Sequence, residues 1–190
     1  MKLVIASNNN HKIEQIKEVL KGKFDEIYSL AEMGIDCDPE ENGTTFLENA
    51  LIKVNEIAKY TTFAVLGDDT GLCVDALDGA PGIMSARYAG DHDSAKNRKK
   101  LLVDLDGVTN RKAHFETCVA LRYPDGTIVT AFGRVDGEIL TEERGDKGFG
   151  YECLFFSTEL GKTFGQATTE EKLSVSHRGR SLRNLLAKLG

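Results

Sequence analysis

GDDTGLCVDALDGAPGIMSARYAG, residues Gly67–Gly90, follows the apolar run Phe63–Leu66 and sets two adjacent carboxylates, Asp68 and Asp69, beside glycine. The run is short and closed by Gly67, the pattern of a buried strand whose C-terminal edge opens into a loop. Asp68 and Asp69 then read as the start of that loop, with Thr70 and Gly71 permitting the break. Inside a strand neighbouring side chains point to opposite faces, but where the strand ends both carboxylates can turn toward one cation. Two carboxylates held close do not both ionise cheaply without a cation, and Mg2+ is the usual partner of a water-rich oxygen site near phosphate. A polar Asp-Asp-Thr-Gly turn with no ion accounts for the same residues. From these residues alone both readings stand open.

Lys2–Ala6 reads as a buried strand, and Ile13, Ile16, Val19 and Leu20 fall at helical spacing, so the chain opens strand, turn, helix. Thr45 with Glu48 three residues later is a capping-box pattern, and Phe46, Ala50, Val54 and Ile57 line one face of the helix it starts. Beyond the acid pair the pattern predicts a strand over Leu72–Leu77, a turn over Gly79–Gly82 and a helix over Ser94–Leu105. His114–Arg122 and Thr127–Val135 are strand-like runs joined by Tyr123-Pro124-Asp125-Gly126, a hairpin signal, so the sheet is expected to be mixed. The last helix carries Leu182, Leu185, Leu186 and Leu189 on one stripe, with Ser176 placed to cap it. Alternating strands and helices without repeats make an α/β fold, and 190 residues suit a single domain spanning 1–190.

Composition narrows the function. Hydrophobic content of 41% and charged content of 28% are those of a globular chain, and no apolar run approaches the ~20 residues of a membrane span. The N-terminus has no long apolar core or cleavage signal, so a cytoplasmic protein is expected. A net charge of −6 argues against binding nucleic acid polymers, which calls for a basic face. The four cysteines are scattered and set among apolar residues, so reduced, mostly buried thiols are expected.

Several segments could carry chemistry. Ser7-Asn8-Asn9-Asn10-His11-Lys12 lies between strand and helix, where backbone N–H groups cradle phosphate and Ser7, Asn9 and Lys12 add donors; an Asn-rich helix cap explains the same residues. Asp38, Glu40 and Glu41 are solvated loop acids unless their loop folds over the Asp68-Asp69 edge, where one of the glutamates would add an oxygen ligand. Lys53 sits on the Thr45 helix. The stretch GDKGFGYECLFF, Gly145–Phe156, reads as a mobile glycine loop with Phe149 and Tyr151, rings that could stack on a base or belong to the core. Lys172 and Ser176-His177-Arg178-Gly179-Arg180 gather cationic donors at a helix start, fit for an anionic or carbonyl-bearing ligand or for a plain basic cap.

Taken together and in order, SNNNHK, EENGTTFLENA, GDDTGLCVDALDGAPGIMSARYAG, GFGY and EEKLSVSHRGRSL resemble the inosine/xanthosine triphosphate pyrophosphatase family over nearly the whole chain. The resemblance implies an elongated two-lobed α/β domain, a long central mixed sheet flanked by helices, and a homodimer. It implies Mg2+-dependent cleavage of deaminated purine nucleoside triphosphates, ITP, dITP and XTP, to monophosphate and pyrophosphate, which cleanses the nucleotide pool. By the same carry-over Ser7–Lys12 and Lys53 hold the triphosphate, and Glu40 and Asp69 bind Mg2+ with Asp68 beside them. Asp69 is then the proton acceptor. Thr70, Phe149, Gly150, Tyr151, Glu152, Lys172, His177 and Arg178 surround the nucleotide, and Arg87 stands where a basic residue is usual.

Phosphoanhydride hydrolysis needs charge neutralisation, in-line positioning and an activated water, which lysines, Mg2+ and a carboxylate supply. Donors from His177 or Arg178 suit the 6-carbonyl of hypoxanthine and xanthine and would be unpaired against adenine. One departure stands out. The family commonly reads GFGYDP where this chain has Glu152 and Cys153, so a relaxed or shifted base preference is expected. Two other functions fit the residues: hydrolysis of ordinary or pyrimidine triphosphates at the same metal site, and a nucleotide-binding module without turnover.

Overall fold

The computed structural model describes residues 1–90 and 92–190. Its strands are β1 Lys2–Ile5, β2 Glu26–Ser29, β3 Ala64–Val74, β4 Lys112–Arg122, β5 Ile128–Ile139, β6 Phe155–Ser157 and β7 Lys162–Thr163. They form one seven-stranded sheet in the order β2-β1-β3-β4-β5-β6-β7. The helices among the described residues are α1 Asn10–Leu20, α2 Phe46–Ile57, α3 Ser94–Asp104, α4 Thr169–Val175 and α5 His177–Leu189, with 3-10 turns at Asp75–Leu77 and Gly82–Arg87. β1 pairs in parallel with β2 and β3, and β6 antiparallel with β5 and β7. The fold is therefore the expected α/β arrangement with a mixed sheet. Parallel neighbours need a crossover, and α1 and α2 supply it on the N-terminal side.

Local signals set the helix starts. Thr45 Oγ1 accepts from the Glu48 N–H at 3.1 Å and caps α2, and Ser176 Oγ accepts from the Gly179 N–H at 3.1 Å at the start of α5. Thr168 and Glu171 close a reciprocal capping box on α4, a helix that hydrophobic periodicity did not suggest because it is only seven residues long.

The acid pair is where expectation and structure part. β3 does not end at Leu66; it continues through Gly67, Asp68, Asp69 and Thr70 to Val74, with no loop at the carboxylates and no separate strand over Leu72–Leu77. The place of β3 in the sheet, paired with β1 over Ala64–Leu66 and next to β4 on its other side, overrides the local turn preference of Asp and Gly. Alternation then sends the two carboxylates to opposite faces. Leu66 belongs to the cluster containing Ile13 and Ile16 of α1, so Asp68, two residues on, faces α1. Val65 belongs to the cluster containing Ala50, Val54 and Ile57 of α2, and Asp69 shares that α2 side.

The chain divides into two compact units, Met1–Asp69 with Thr117–Gly133 and Ser181–Gly190, and Thr70–Glu116 with Arg134–Arg180. The first has two apolar layers, one on each side of β1 and β3. The second packs Leu72, Val74, Leu101, Phe115, Phe155 and Phe164 into one cluster. The division falls inside β3 between Asp69 and Thr70. All four cysteines are free, but only Cys118 is fully buried; the other three are half-buried, fewer buried thiols than their apolar neighbours suggest. Among the described residues no helix is long and apolar enough to cross a membrane.

Candidate active site

In the first unit the Ser7–Lys12 turn carries the chain from β1 into α1. Asn9 is the helix cap, its Oδ1 accepting from the Lys12 N–H at 3.3 Å, while Ser7 Oγ accepts from the Asn9 N–H at 3.1 Å. Asn8 donates through Nδ2 to the Cys37 carbonyl at 3.3 Å. Asn8, Asn10 and His11 are exposed at this helix start, where N–H groups and the helix dipole favour an anion. The cap and the anion cradle are thus compatible readings of one turn.

Asp68 is buried and pairs with Lys12, Oδ2 to Nζ 3.1 Å. On the α2 side Lys53 Nζ donates to the Asp68 carbonyl at 2.8 Å, pairs with Glu41 Oε1 at 3.0 Å and lies 3.8 Å from Asp69 Oδ1. Asn49 Nδ2 donates to Asp69 Oδ2 at 3.0 Å. Glu40 is exposed; its neighbour Glu41 is the acid that reaches Lys53. Burial pushes the Asp69 carboxyl up to about 6, with Glu41 acting in the same direction and Lys53, Lys12 and the Asn49 hydrogen bond acting against it. Burial also works against the charge on Lys53, but Asp68, Asp69 and Glu41 outweigh it and hold the ammonium above its ordinary range.

The donor set here is all oxygen, which suits a hard cation such as Mg2+. No three His, Cys, Asp or Glu side chains among the described residues gather into a ready metal cage. Mg2+ does not require one, because it keeps waters and commonly binds one or two carboxylates together with substrate phosphates. The residues present fit that mode.

In the second unit the GFGYEC loop is strapped down along its length. Glu152 is buried and paired with Lys172 Nζ at 2.8 Å, and its Oε2 also accepts from the Phe149 N–H at 3.1 Å. Arg98 donates to the Gly150 carbonyl at 3.0 Å, and the Glu152 carbonyl accepts from the Gly165 N–H at 2.9 Å. Gly148 has φ +85°, and a Cβ there would lie 1.7 Å from Glu152 Oε2. The Tyr151 ring is core, and its hydroxyl donates to the Ser85 carbonyl at 2.6 Å, whereas Phe149 is only half-buried. Of the two rings that could stack on a base, Phe149 is the less buried.

His177 and Arg178 open α5 and are both buried. The His177 ring stacks on Phe115, centroids 4.7 Å apart and planes 15° apart, and Arg178 donates to Thr70 Oγ1 at 3.2 Å. Arg87 is exposed at the end of its 3-10 turn; the segment it ends is held by Asn97, which donates to the Ala86 carbonyl and accepts from the Ala89 N–H. Asn49, Asn97 and Phe115 were not legible as site residues, whereas Glu41 was one of the two loop glutamates expected to turn toward the acid pair.

A model of the Ham1 family matches residues 3–188. A dITP/XTP pyrophosphatase of Clostridium perfringens is 50% identical, with 97% of this chain and 95% of that protein covered. Another from Leuconostoc mesenteroides is 47% identical, covering 100% and 96%. Among solved structures, a HAM1 protein from Coxiella burnetii superposes with a TM-score of 0.89 at 35% identity over 100% of this chain and 98% of that one. A nucleoside-triphosphatase / dITP/XTP pyrophosphatase from Mycobacterium abscessus does so with a TM-score of 0.78 at 39% identity, covering 98% and 99%.

Proposed function

The chain belongs to the Ham1 family, and we propose that it is a nucleoside triphosphate pyrophosphatase that hydrolyses dITP, ITP and XTP to the monophosphate and pyrophosphate. The observation that carries this reading is Asp69: a buried carboxylate held near neutrality in its proton affinity, set between Asn49 and Lys53. A group of that kind can take a proton from water near physiological pH. Lys12 and Lys53 offset phosphate charge, and the Ser7–Lys12 turn offers a helix start for the triphosphate. Glu40 and Asp69 would hold Mg2+, which when bound supplies further charge neutralisation at the phosphate oxygens. Asp68 is better assigned to Lys12, since its carboxylate leaves β3 on the α1 side.

Base choice falls to the second unit. Phe149 supplies a stacking face, and Lys172, His177 and Arg178 supply donors for a 6-carbonyl; Glu152 acts on the base through Lys172. Adenine, with an amino group there, would leave those donors unpaired in a dry site. Removal of misincorporation-prone purine triphosphates in the cytoplasm, by a homodimer, completes the reading. Asp69→Asn tests it: the variant is expected to fold and to lose about 10²- to 10⁴-fold in kcat. Turnover like that of the unmodified protein would remove Asp69 from the mechanism.

A further inference from the structure

Asn49 lies in the first turn of α2, is 1% exposed and uses both ends of its carboxamide. Nδ2 donates to Asp69 Oδ2 at 3.0 Å, and Oδ1 accepts from the Gly43 backbone N–H at 2.9 Å. A backbone N–H can only donate, so Gly43 fixes which end of the amide faces it, and the NH2 end is thereby turned to Asp69. The close approach needs glycine: a Cβ at position 43 would come within 2.6 Å of Asn49 Oδ1 and 2.7 Å of Glu48 Cβ. Capping is not the reason for Asn49, because Thr45 caps this helix.

An NH2 group is a donor and requires an acceptor opposite it. It therefore holds the carboxylate of Asp69 in one rotation, with Oδ2 engaged and Oδ1 as the edge on the Lys53 side. We infer that Asn49 is a positioning residue for Asp69: it engages Oδ2 so that the proton leaving the attacking water goes to Oδ1, and through Gly43 it ties the loop bearing Glu40 and Glu41 to the same carboxylate. The inference rests on Asp69 being the proton acceptor. It goes beyond that reading by giving the two oxygens different tasks and by linking the acidic loop to the orientation of the base.

The test is steady-state kinetics on dITP with Mg2+ for Asn49→Ala, Gly43→Ala, Asp69→Asn and the double variant Asn49→Ala/Asp69→Asn, each checked by thermal melting. Misorienting a reacting group without removing substrate contacts is expected to lower kcat of Asn49→Ala about 10- to 100-fold while KM stays within about 3-fold. Gly43→Ala leaves Asn49 present but crowds its Oδ1, and is expected to lower kcat by about 3- to 10-fold. In the Asp69→Asn background the Asn49 change should alter the residual rate by less than about 2-fold, since residues acting through one group are not additive. Should Asn49→Ala fail to melt cooperatively, Gly43→Ala decides. An inactive Asp69→Asn beside folded Asn49→Ala and Gly43→Ala at full kcat overturns this inference alone. A fully active Asp69→Asn overturns the catalytic reading and this inference with it.

Discussion

Asp69 has an ordinary carboxyl pKa when the chain is unfolded and one near 6 when it is folded. The folded state therefore binds this proton more tightly, so the contribution of Asp69 to stability falls as pH rises from about 4 to about 6 and stays at the lower level above that. Asp69→Asn removes the buried charge and with it this penalty. In metal-free buffer the variant's Tm, relative to the unmodified protein, is expected to climb across that window and level off above it; a constant offset from about pH 4 to pH 7 would contradict the assignment. The acid pair was legible because two adjacent aspartates after an apolar run are unusual in any reading. Which of Glu40 and Glu41 turns inward was not, since neighbouring loop residues differ only in a backbone path that local sequence does not specify. Asn49 was hidden for a related reason: in FLENA it reads as one more polar helix residue, and its partner lies twenty positions away.

β3 is the element on which the proposed site depends, and the first of its two glycines, Gly67, has a packing task. A Cβ at Gly67 would meet Val54 Cγ1 at 3.0 Å and the Ala50 carbonyl and Lys53 Cβ at 3.2 Å, so α2 can lie close to the strand only if that position is bare. Gly67→Val is expected to lose about 1–3 kcal/mol in urea unfolding by overpacking this contact; an unchanged midpoint would show that α2 can retreat freely. The strand's first apolar run and the caps of α2 and α5 were readable from local pattern. Its continuation through the aspartates was not, because turn preference is local and the sheet pairing that defeats it is not. In the second unit the Glu152–Lys172 pair replaces a looser expectation for the glycine loop. Shortening the acid in Glu152→Asp/Cys153→Pro withdraws a buried carboxylate from its lysine and stiffens the next residue, so the ratios of kcat/KM among ITP, XTP and GTP are expected to shift. Identical ratios would separate Glu152 from base choice.

At the scale of the whole chain, five short motifs in order carried more than any periodicity, and the Ham1 family model spans residues 3–188. Strand order was beyond sequence reading, because it depends on pairings between distant segments; two lobes were expected from the resemblance, but not where the chain divides. The division also sorts the proposed tasks. Residues for phosphate and proton transfer end at Asp69, residues for the base begin at Thr70, and one continuous strand carries both. The proposed activity is release of pyrophosphate from triphosphates bearing a 6-carbonyl purine; guanine shares that carbonyl, so it must be excluded at its 2-amino group. The most direct test measures pyrophosphate against orthophosphate released from dITP, dATP and dGTP by the purified protein with Mg2+ at slightly alkaline pH. Pyrophosphate from dITP, with dATP and dGTP cleaved far more slowly, is the predicted result. Equal cleavage of all three would place lost base selection at Glu152 and Cys153, and orthophosphate as the product, or binding of dITP without any cleavage, would contradict the proposed activity.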